Sequence, residues 1–220
     1  MNKSEAQKVL FECVELYKNN LIDYNLLFLC AGKNRKMNAL EMQFSTTGFL
    51  HLTGVKFPGK KIPGKKIPAR AFFDKCINRR LSLAEFDLAL DGTTELKLKI
   101  LPMLFQKNLS ASMIGDFSAR TSLLVTEKLA GGIKGCMGFV RDEGTGYYVP
   151  NTVLNLDIRK YIKNQQRVLV TLRKRKITRT YSEIAYVAKK IEWDQFEFPE
   201  KYMYLKQILQ LPKENKIDMN

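Results

Sequence analysis

The alternation of apolar and polar positions predicts helices in the first half of the chain. Apolar residues recur at helical spacing from Ala6 to Leu21, as in an amphipathic helix that covers a sheet. Two short runs, 26–30 and 40–44, have the buried character or the period-two alternation of strands. A second helix is predicted over about 71–80. This half of the chain is therefore expected to be mainly helical, with two strands.

The run from 93 to 105 fits two patterns. Leu96 and Ile100 fall on an alternating pattern with lysines, which is typical of a strand, but they also belong to a helical stripe. Pro102 would kink such a helix. We favour a helix that begins near Thr93 or Thr94.

From Ser112 onward, short alternating runs and glycine-rich turns predict strands. The candidate strands are 112–117, 122–129, 135–142, 146–150, 167–173 and 181–188. Helices followed by strands indicate an α+β fold, in which N-terminal helices pack on an antiparallel β-sheet. We expect one domain over 1–192 and a C-terminal aromatic segment with a tail over 193–220.

Composition restricts the class of protein. Of 220 residues, 37 are Lys or Arg and 22 are Asp or Glu, so the formal net charge is +15. The hydrophobic content of 45% suffices for a packed core and excludes wholesale disorder. The charge favours a polyanionic partner, either nucleic acid or, less favoured, an anionic membrane surface. No apolar run is long enough to span a bilayer and no signal-peptide layout opens the chain, so we expect a cytoplasmic protein without a membrane partner.

The residue types present argue against a metal or a cofactor. The chain has one histidine and four cysteines that lie far apart in the sequence. We therefore expect no zinc site, and we expect the cysteines to be reduced thiols. No clustered aspartates indicate a two-metal centre, and no phosphate-binding glycine loop is present.

Positive charge concentrates in two segments. The sequence of 58–62 is repeated at once in 63–67, which predicts a basic loop over 56–70. A second basic run at 173–179 would suit phosphate binding through arginine. The candidate RNA-binding cations of the two segments are Lys60, Lys61, Lys65, Lys66, Arg173, Arg175 and Arg179. For both runs the alternative is a solvated surface.

His51 is the candidate acid–base group. If 49–54 is extended, alternation places His51 and Thr53 on one face, and an imidazole beside a hydroxyl suits proton transfer near neutral pH. The alternative is a half-buried histidine bonded to a backbone carbonyl. Lys97 and Lys99 are candidates for a phosphate clamp, or else cations of a solvated face.

An aromatic and hydrogen-bonding segment at 147–152 is the remaining candidate for nucleic-acid contact. Tyr148 is suited to stack on a base, and Asn151 and Thr152 are suited to hold a phosphate. The alternative is a strand end with a capped proline turn.

Several fragments resemble one known family in their order and spacing. They are 49–54, 91–99, 113–117, 138–139, 148–154 and 181–184. Together they resemble the fourth family of phage barnase–EndoU–colicin–RelE-like nucleases, which occurs in prophages and other mobile elements. The resemblance covers roughly residues 5–190.

This resemblance implies a compact domain with N-terminal helices and a four-stranded antiparallel sheet whose face holds the active site. It also implies metal-independent RNA cleavage, in which the ribose 2′-OH attacks the adjacent phosphorus. On the matching motifs, His51 becomes the general base or acid and Lys97 the phosphate stabiliser, and Thr152 and Tyr181 are expected to contact the phosphate. We expect His51, Lys97 and Tyr181 to converge on one concave, basic face.

The predicted function is thus that of a small endoribonuclease. A role as a toxin or effector, with a cognate immunity or antitoxin protein as partner, is a further hypothesis. Two alternatives stay open: a non-catalytic nucleic-acid-binding module on the same scaffold, and a protein-interaction or immunity protein. RNA cleavage distinguishes the endoribonuclease from the non-catalytic binding module. Retention of nucleic acid distinguishes both of these from a protein-interaction or immunity protein.

Overall fold

The computed structural model describes residues 1–58, 67–118 and 125–210. Within these ranges the helices are α1 (Lys3–Tyr17), α2 (Gly48–Thr53), α3 (Ile67–Ile77), α4 (Thr93–Leu104) and α5 (Leu205–Gln210). The strands are β1 (Tyr24–Ala31), β2 (Met37–Gln43), β3 (Met113–Phe117), β4 (Lys128–Gly131), β5 (Cys136–Arg141), β6 (Tyr148–Leu154), β7 (Ile162–Arg175) and β8 (Glu183–Val187). A π-helical turn, Lys18–Ile22, continues α1, and short 3₁₀ turns connect later elements.

The predicted mixture of helices and strands is confirmed. The ambiguous run after Thr93 is a helix that contains Pro102. The segment that contains His51 is helical, so the extended conformation considered for 49–54 does not occur. Phe49 and Leu52 are buried at helical spacing, and Gly54, with φ of +69°, ends the helix in the left-handed conformation. The expected tail after 212 lies outside the described residues.

The strands do not form the four-stranded antiparallel sheet that the resemblance implies. Their pairings follow the order β1-β2-β6-β5-β4-β3-β7, and β7 pairs again with β1, which closes a ring of seven strands. β8 lies outside this ring and pairs with β7. Ring closure depends on the length of β7, whose first part pairs with β3 and whose second part pairs with β1. All pairings are antiparallel except that of β2 with β6, which is parallel and joins only Met42 to Tyr148.

Both faces of β1 are buried, and they face different cores. Leu26 and Phe28 point into the main core, which α1, α2, α3 and α4 cover. Leu27 and Leu29 point the other way, into a second core with Tyr181 and residues of the C-terminal segment. This explains why 26–30 is an uninterrupted apolar run. The members of the C-terminal segment buried in this second core are Phe198, Tyr202, Leu205 and Leu209.

The described C-terminal segment is therefore attached to the outer face of the sheet by its aromatic and leucine side chains. The proposed boundary at residue 192 stays a prediction. No helix in the described part of the chain combines the length and the apolarity needed to cross a membrane. The four cysteines are buried free thiols.

Arg173 is a buried cation that joins three elements. Its side chain is 2% exposed and forms an ion pair with Glu183. Its Nη1 donates to the carbonyl oxygen of Asn20 at 2.9 Å, and its guanidinium lies over the Tyr24 ring, 3.9 Å from the centroid. These contacts occupy the guanidinium, so we assign Arg173 a structural role and leave it out of the proposed RNA-binding surface.

We expect Arg173→Ala to lower the free energy of unfolding by about 2–3 kcal/mol, because it removes the donor to a buried carbonyl and leaves Glu183 only its longer ion pair with Lys107, at 3.6 Å. Arg175→Ala removes the same charge two residues away, at an exposed position. It should change stability by less than about 0.5 kcal/mol. Urea unfolding of both variants measures this, and equal losses would contradict the structural role.

Candidate active site

The motif at 51–54 forms the end of α2, and three of its four residues have packing or conformational roles. Leu52 is buried in the main core. Thr53 is also buried, and its hydroxyl donates to the Leu50 carbonyl oxygen at 2.8 Å and accepts from the Val55 amide at 3.2 Å. Gly54 supplies the positive φ that ends the helix.

His51 is the exception in this motif. Its side chain is exposed, and it makes no hydrogen bond or ion pair with the residues that the structure describes. Neither packing nor local hydrogen bonding therefore explains a histidine at this position. An exposed imidazole on a helix that its neighbours hold in place is available for proton transfer with a ligand.

The motif at 91–99 contacts the end of α2 directly. The Thr94 hydroxyl donates to the Gly54 carbonyl oxygen at 2.7 Å and accepts from the Ala89 amide at 2.9 Å. The Lys97 stem covers Gly54, with its Cδ 2.9 Å from the place where a β-carbon on Gly54 would lie. Burial lowers the pKa of Lys97, and Asp91 partly opposes this shift. The two motifs are thus one structural unit.

A groove of about 780 Å³ opens between α2 and the β5–β6 hairpin. α2 packs against β6, which brings the segment at 148–154 beside the histidine helix. The polar side chains that line the groove are Gln43, Ser45, Thr47, His51, Asp142, Asn151 and Lys176. His51 and Asn151, predicted from separate motifs, therefore share one groove.

Several polar groups of the groove are held in place by hydrogen bonds. The Ser45 and Thr47 hydroxyls lie 3.0 Å apart. The Lys176 ammonium donates to the Phe44 carbonyl oxygen at 2.6 Å, and partial burial lowers its pKa against an opposing effect of Asp23. Asn151 is bonded through its amide to residues 125 and 126.

One arginine lies beside the groove at the start of α3, where it also pairs with Asp74 at 3.1 Å. Pro68 and Ala69, at the start of α3, line the groove, and Arg70 donates from Nη1 to the Thr46 hydroxyl at 3.2 Å. These residues directly follow the duplicated basic segment. Lys60, Lys61, Lys65 and Lys66 of that segment lie outside the described residues, and their RNA contacts stay predictions.

The other predicted site residues lie elsewhere. Thr152 is buried next to Gly138, and Lys99 is exposed and pairs with Glu95 at 2.8 Å. Tyr148 lines a different cavity, described below. Arg175 and Arg179 are exposed near the turn between β7 and β8.

Tyr181 does not join His51 and Lys97. It belongs to the second core, whereas Leu52 of the histidine helix and Leu98 next to Lys97 belong to the main core. The two cores lie on opposite faces of β1, so the expected convergence of the three side chains on one face does not occur.

Tyr181 instead forms a polar cluster on the outer face of β2. Its hydroxyl donates to Glu41 Oε1 at 3.0 Å, and Lys201 donates to Oε2 of the same carboxylate at 2.7 Å. Burial acts to raise the pKa of Glu41, but the bonds from Lys201 and Tyr181 outweigh it and the pKa is lowered. Burial, together with the Glu41 carboxylate, raises the pKa of Tyr181. The cluster holds the C-terminal segment against β2.

Sequence reasoning missed Lys176, Ser45 and Thr47 as groove residues. Lys176 belongs to the basic run at 173–179, but a run alone does not reveal which of its members faces a cavity. Ser45 and Thr47 precede α2 in a short polar turn that carries no motif. In the described part of the chain no three His, Cys, Asp or Glu side chains cluster as metal ligands do.

One comparison with known proteins finds a matching family. The family model described as phage-Barnase-EndoU-ColicinE5/D-RelE like nuclease4 matches residues 9–190. The match contains the histidine helix, α4 and the β5–β6 hairpin. No curated protein and no solved structure matches the chain.

We expect Gly54→Ala to lower the free energy of unfolding by about 1–2 kcal/mol, because a β-carbon is strained at φ +69° and would press on Lys97. Gly132→Ala is the matched control, since its β-carbon would meet only atoms at 3.7 Å or more. Denaturant unfolding of the two variants measures the difference. If both are equally stable, Gly54 is not required to end the helix.

We expect the stability lost in Glu41→Gln to depend on pH. Because the pKa of Glu41 is lowered in the fold, the ionised carboxylate stabilises the protein above the unfolded-state pKa of about 4.3. This contribution disappears as the pH falls through the lower folded-state pKa. Urea unfolding should therefore show a larger wild-type advantage at pH 7 than at pH 3.

Glu143→Gln, in the exposed turn between β5 and β6, is the control and should show little difference at either pH. An advantage of equal size at both pH values would contradict the role of the Glu41 charge.

Proposed function

The chain belongs to the phage-Barnase-EndoU-ColicinE5/D-RelE like nuclease4 family, and we propose that it cleaves RNA without a metal ion in the groove that contains His51. The observation that carries the proposal is the exposed His51, which has no side-chain partner among the described residues although the rest of its motif is fixed by packing and helix termination. Cations at the same groove favour a phosphate-bearing substrate.

In the proposed reaction the ribose 2′-OH is the nucleophile. The His51 imidazole takes the 2′ proton while the 2′ oxygen bonds to the adjacent phosphorus. The bond from phosphorus to the 5′ oxygen then breaks, which leaves a 2′,3′-cyclic phosphate and a 5′-hydroxyl. The leaving 5′ oxygen needs a proton, and we assign its donor as Lys176, because a lowered ammonium pKa eases proton release.

The groove also offers groups that stabilise the charged phosphorane. The Lys176 ammonium carries positive charge there, and the Ser45 and Thr47 hydroxyls are hydrogen-bond donors within the same lining. Lys97 lies against Gly54 at the end of the same helix and remains a proposed second cation. Thr152 and Tyr181 are buried away from solvent, so the proposal gives them no catalytic step.

The RNA strand is proposed to follow exposed cations near the groove. Arg175 and Arg179 are exposed close to Lys176 in the sequence, and Arg70 is exposed at the start of α3. Arginine suits this role because its guanidinium binds phosphate through two parallel hydrogen bonds. A role as a toxin or effector of a mobile element, with an immunity protein as partner, is part of the proposal and rests on the family alone.

We expect His51→Ala to reduce RNA cleavage by about 10²–10⁴-fold in the presence of EDTA, because it removes the general base. Its thermal unfolding should match that of the wild type, since the side chain is exposed. The measurement is the initial rate on a labelled RNA, with detection of 2′,3′-cyclic phosphate ends. A DNA strand of the same sequence should not be cleaved, because it lacks the 2′-OH.

Lys134→Ala is the control for a contaminating ribonuclease and for loss of charge. Lys134 is exposed in the turn between β4 and β5, outside the groove lining, so the rate should be unchanged. Cleavage that survives in His51→Ala, or that requires a divalent cation, would disprove the mechanism. Salt-sensitive binding without cleavage would favour the non-catalytic module instead.

A further inference from the structure

A second cavity opens beside the shortest strand pairing of the ring, that of β2 with β6. β2 and β6 are joined only at Met42 and Tyr148, so the outer edge of β2 at 38–41 has no strand partner among the described residues. A cavity of about 370 Å³ lies along this edge, with β3, β4 and β7 opposite. It is separate from the groove of His51, since the two linings share no residue.

The lining of this cavity combines aromatic, amide and cationic groups with one carboxylate, Glu41, which is already bonded to Tyr181 and Lys201. Tyr148 and Tyr202 are the aromatic residues, and Lys128 and Arg141 are the cations. Lys128 is paired with Asp116, but the Arg141 guanidinium has no ion-pair partner in the described part of the chain. A free guanidinium at a cavity mouth suits an anion such as phosphate.

The amide groups of the lining are only partly used. Asn38 donates from its side-chain nitrogen to Gln166 Oε1 at 3.1 Å, and Asn164 donates to Asp116 Oδ2 at 2.7 Å. These bonds leave the Gln166 nitrogen as a donor and the Asn38 oxygen as an acceptor. Donors and acceptors beside an aromatic ring match the edge and the face of a nucleobase.

The two cavities lie next to each other along the same strands. On β2, Glu41 borders the second cavity and Gln43 borders the groove. Two residues of a strand span about 7 Å, which is short enough for neighbouring nucleotides of one RNA strand. The β5–β6 hairpin shows the same division, with Arg141 on the second cavity and Asp142 on the groove.

We propose that this second cavity binds the base of a nucleotide next to the cleaved bond and so determines the base preference of the enzyme. The base stacks on Tyr148, its edge bonds to Asn38 and Gln166, and Arg141 holds its phosphate. The proposal rests on the proposed function, because it assigns the cavity to the same RNA strand that enters the groove of His51.

The first test measures binding without cleavage. The four nucleoside 3′-monophosphates are titrated into the His51→Ala protein and followed by calorimetry or NMR. One base should bind at least about ten-fold more tightly than the weakest, and adding Tyr148→Leu should remove about ten-fold of that affinity, the loss expected for one stacked base. Tyr148→Phe should retain the affinity, because it keeps the ring.

Tyr161→Leu is the matched control, since Tyr161 is exposed and lines neither cavity. It should bind as the parent does. Equal affinity for all four nucleotides, or unchanged affinity in Tyr148→Leu, would overturn the proposal. Thermal unfolding checks that Tyr148→Leu folds. If it does not, Arg141→Ala, a change at an exposed position of the lining, should weaken nucleotide binding, and unchanged affinity in that variant would overturn the proposal.

The second test measures base preference in cleavage, with His51 present and four oligonucleotides that differ beside one scissile bond. Tyr148→Leu should raise KM for the preferred oligonucleotide about ten-fold and reduce the preference, with kcat little changed. Mononucleotide binding with an unchanged cleavage preference would overturn the assignment to the substrate. Nucleotide binding by the cavity with no cleavage of any RNA would overturn the proposed function and leave the binding site in place.

Discussion

The burial of β1 on both faces is the constraint on which the rest of the structure depends. Its side chains alternate between the main core under the helices and the second core under the C-terminal segment. A strand buried on both faces must also satisfy its backbone on both edges, and β2 and β7 provide those partners. Because β7 is long enough to reach β3 as well, the pairing that completes β1 also closes the ring.

The candidate site depends on that ring through a short chain of contacts. α2 packs on β6 and is fixed to α4 by the hydrogen bond from Thr94 to Gly54. Leu52 and Thr53 are buried, so the helix cannot rotate about its axis without exposing them. This leaves His51 as the exposed residue of a rigid helix end. In the proposed reaction, a general base held in this way needs little further ordering when substrate binds.

Local patterns in the sequence predicted most elements, because hydrophobic spacing and turn residues act over a few positions. They identified α4 in spite of Pro102, and they brought His51 and Asn151 forward as site residues. They did not identify the histidine segment as a helix, since a six-residue helix is too short for periodicity to separate it from a strand. They also grouped Tyr181 with His51. Which face of a sheet a residue occupies depends on strand register, and no local pattern contains that register.

The basic run at 173–179 could not be divided into structural and groove residues for a related reason. Arg173 is buried in an ion pair, whereas Lys176, three residues later, lines the groove.

The distribution of the excess charge follows from the same architecture. Cations that the fold needs are neutralised by partners, as in the pairs of Arg173 with Glu183 and Lys201 with Glu41. Arg175 and Arg179, in contrast, are exposed beside Lys176. Unpaired cations raise the local concentration of a polyanion without contributing to folding, and a net charge of +15 opposes compaction. Of these cations Lys176 lines the groove of His51, so the attraction that we propose for RNA acts at that groove.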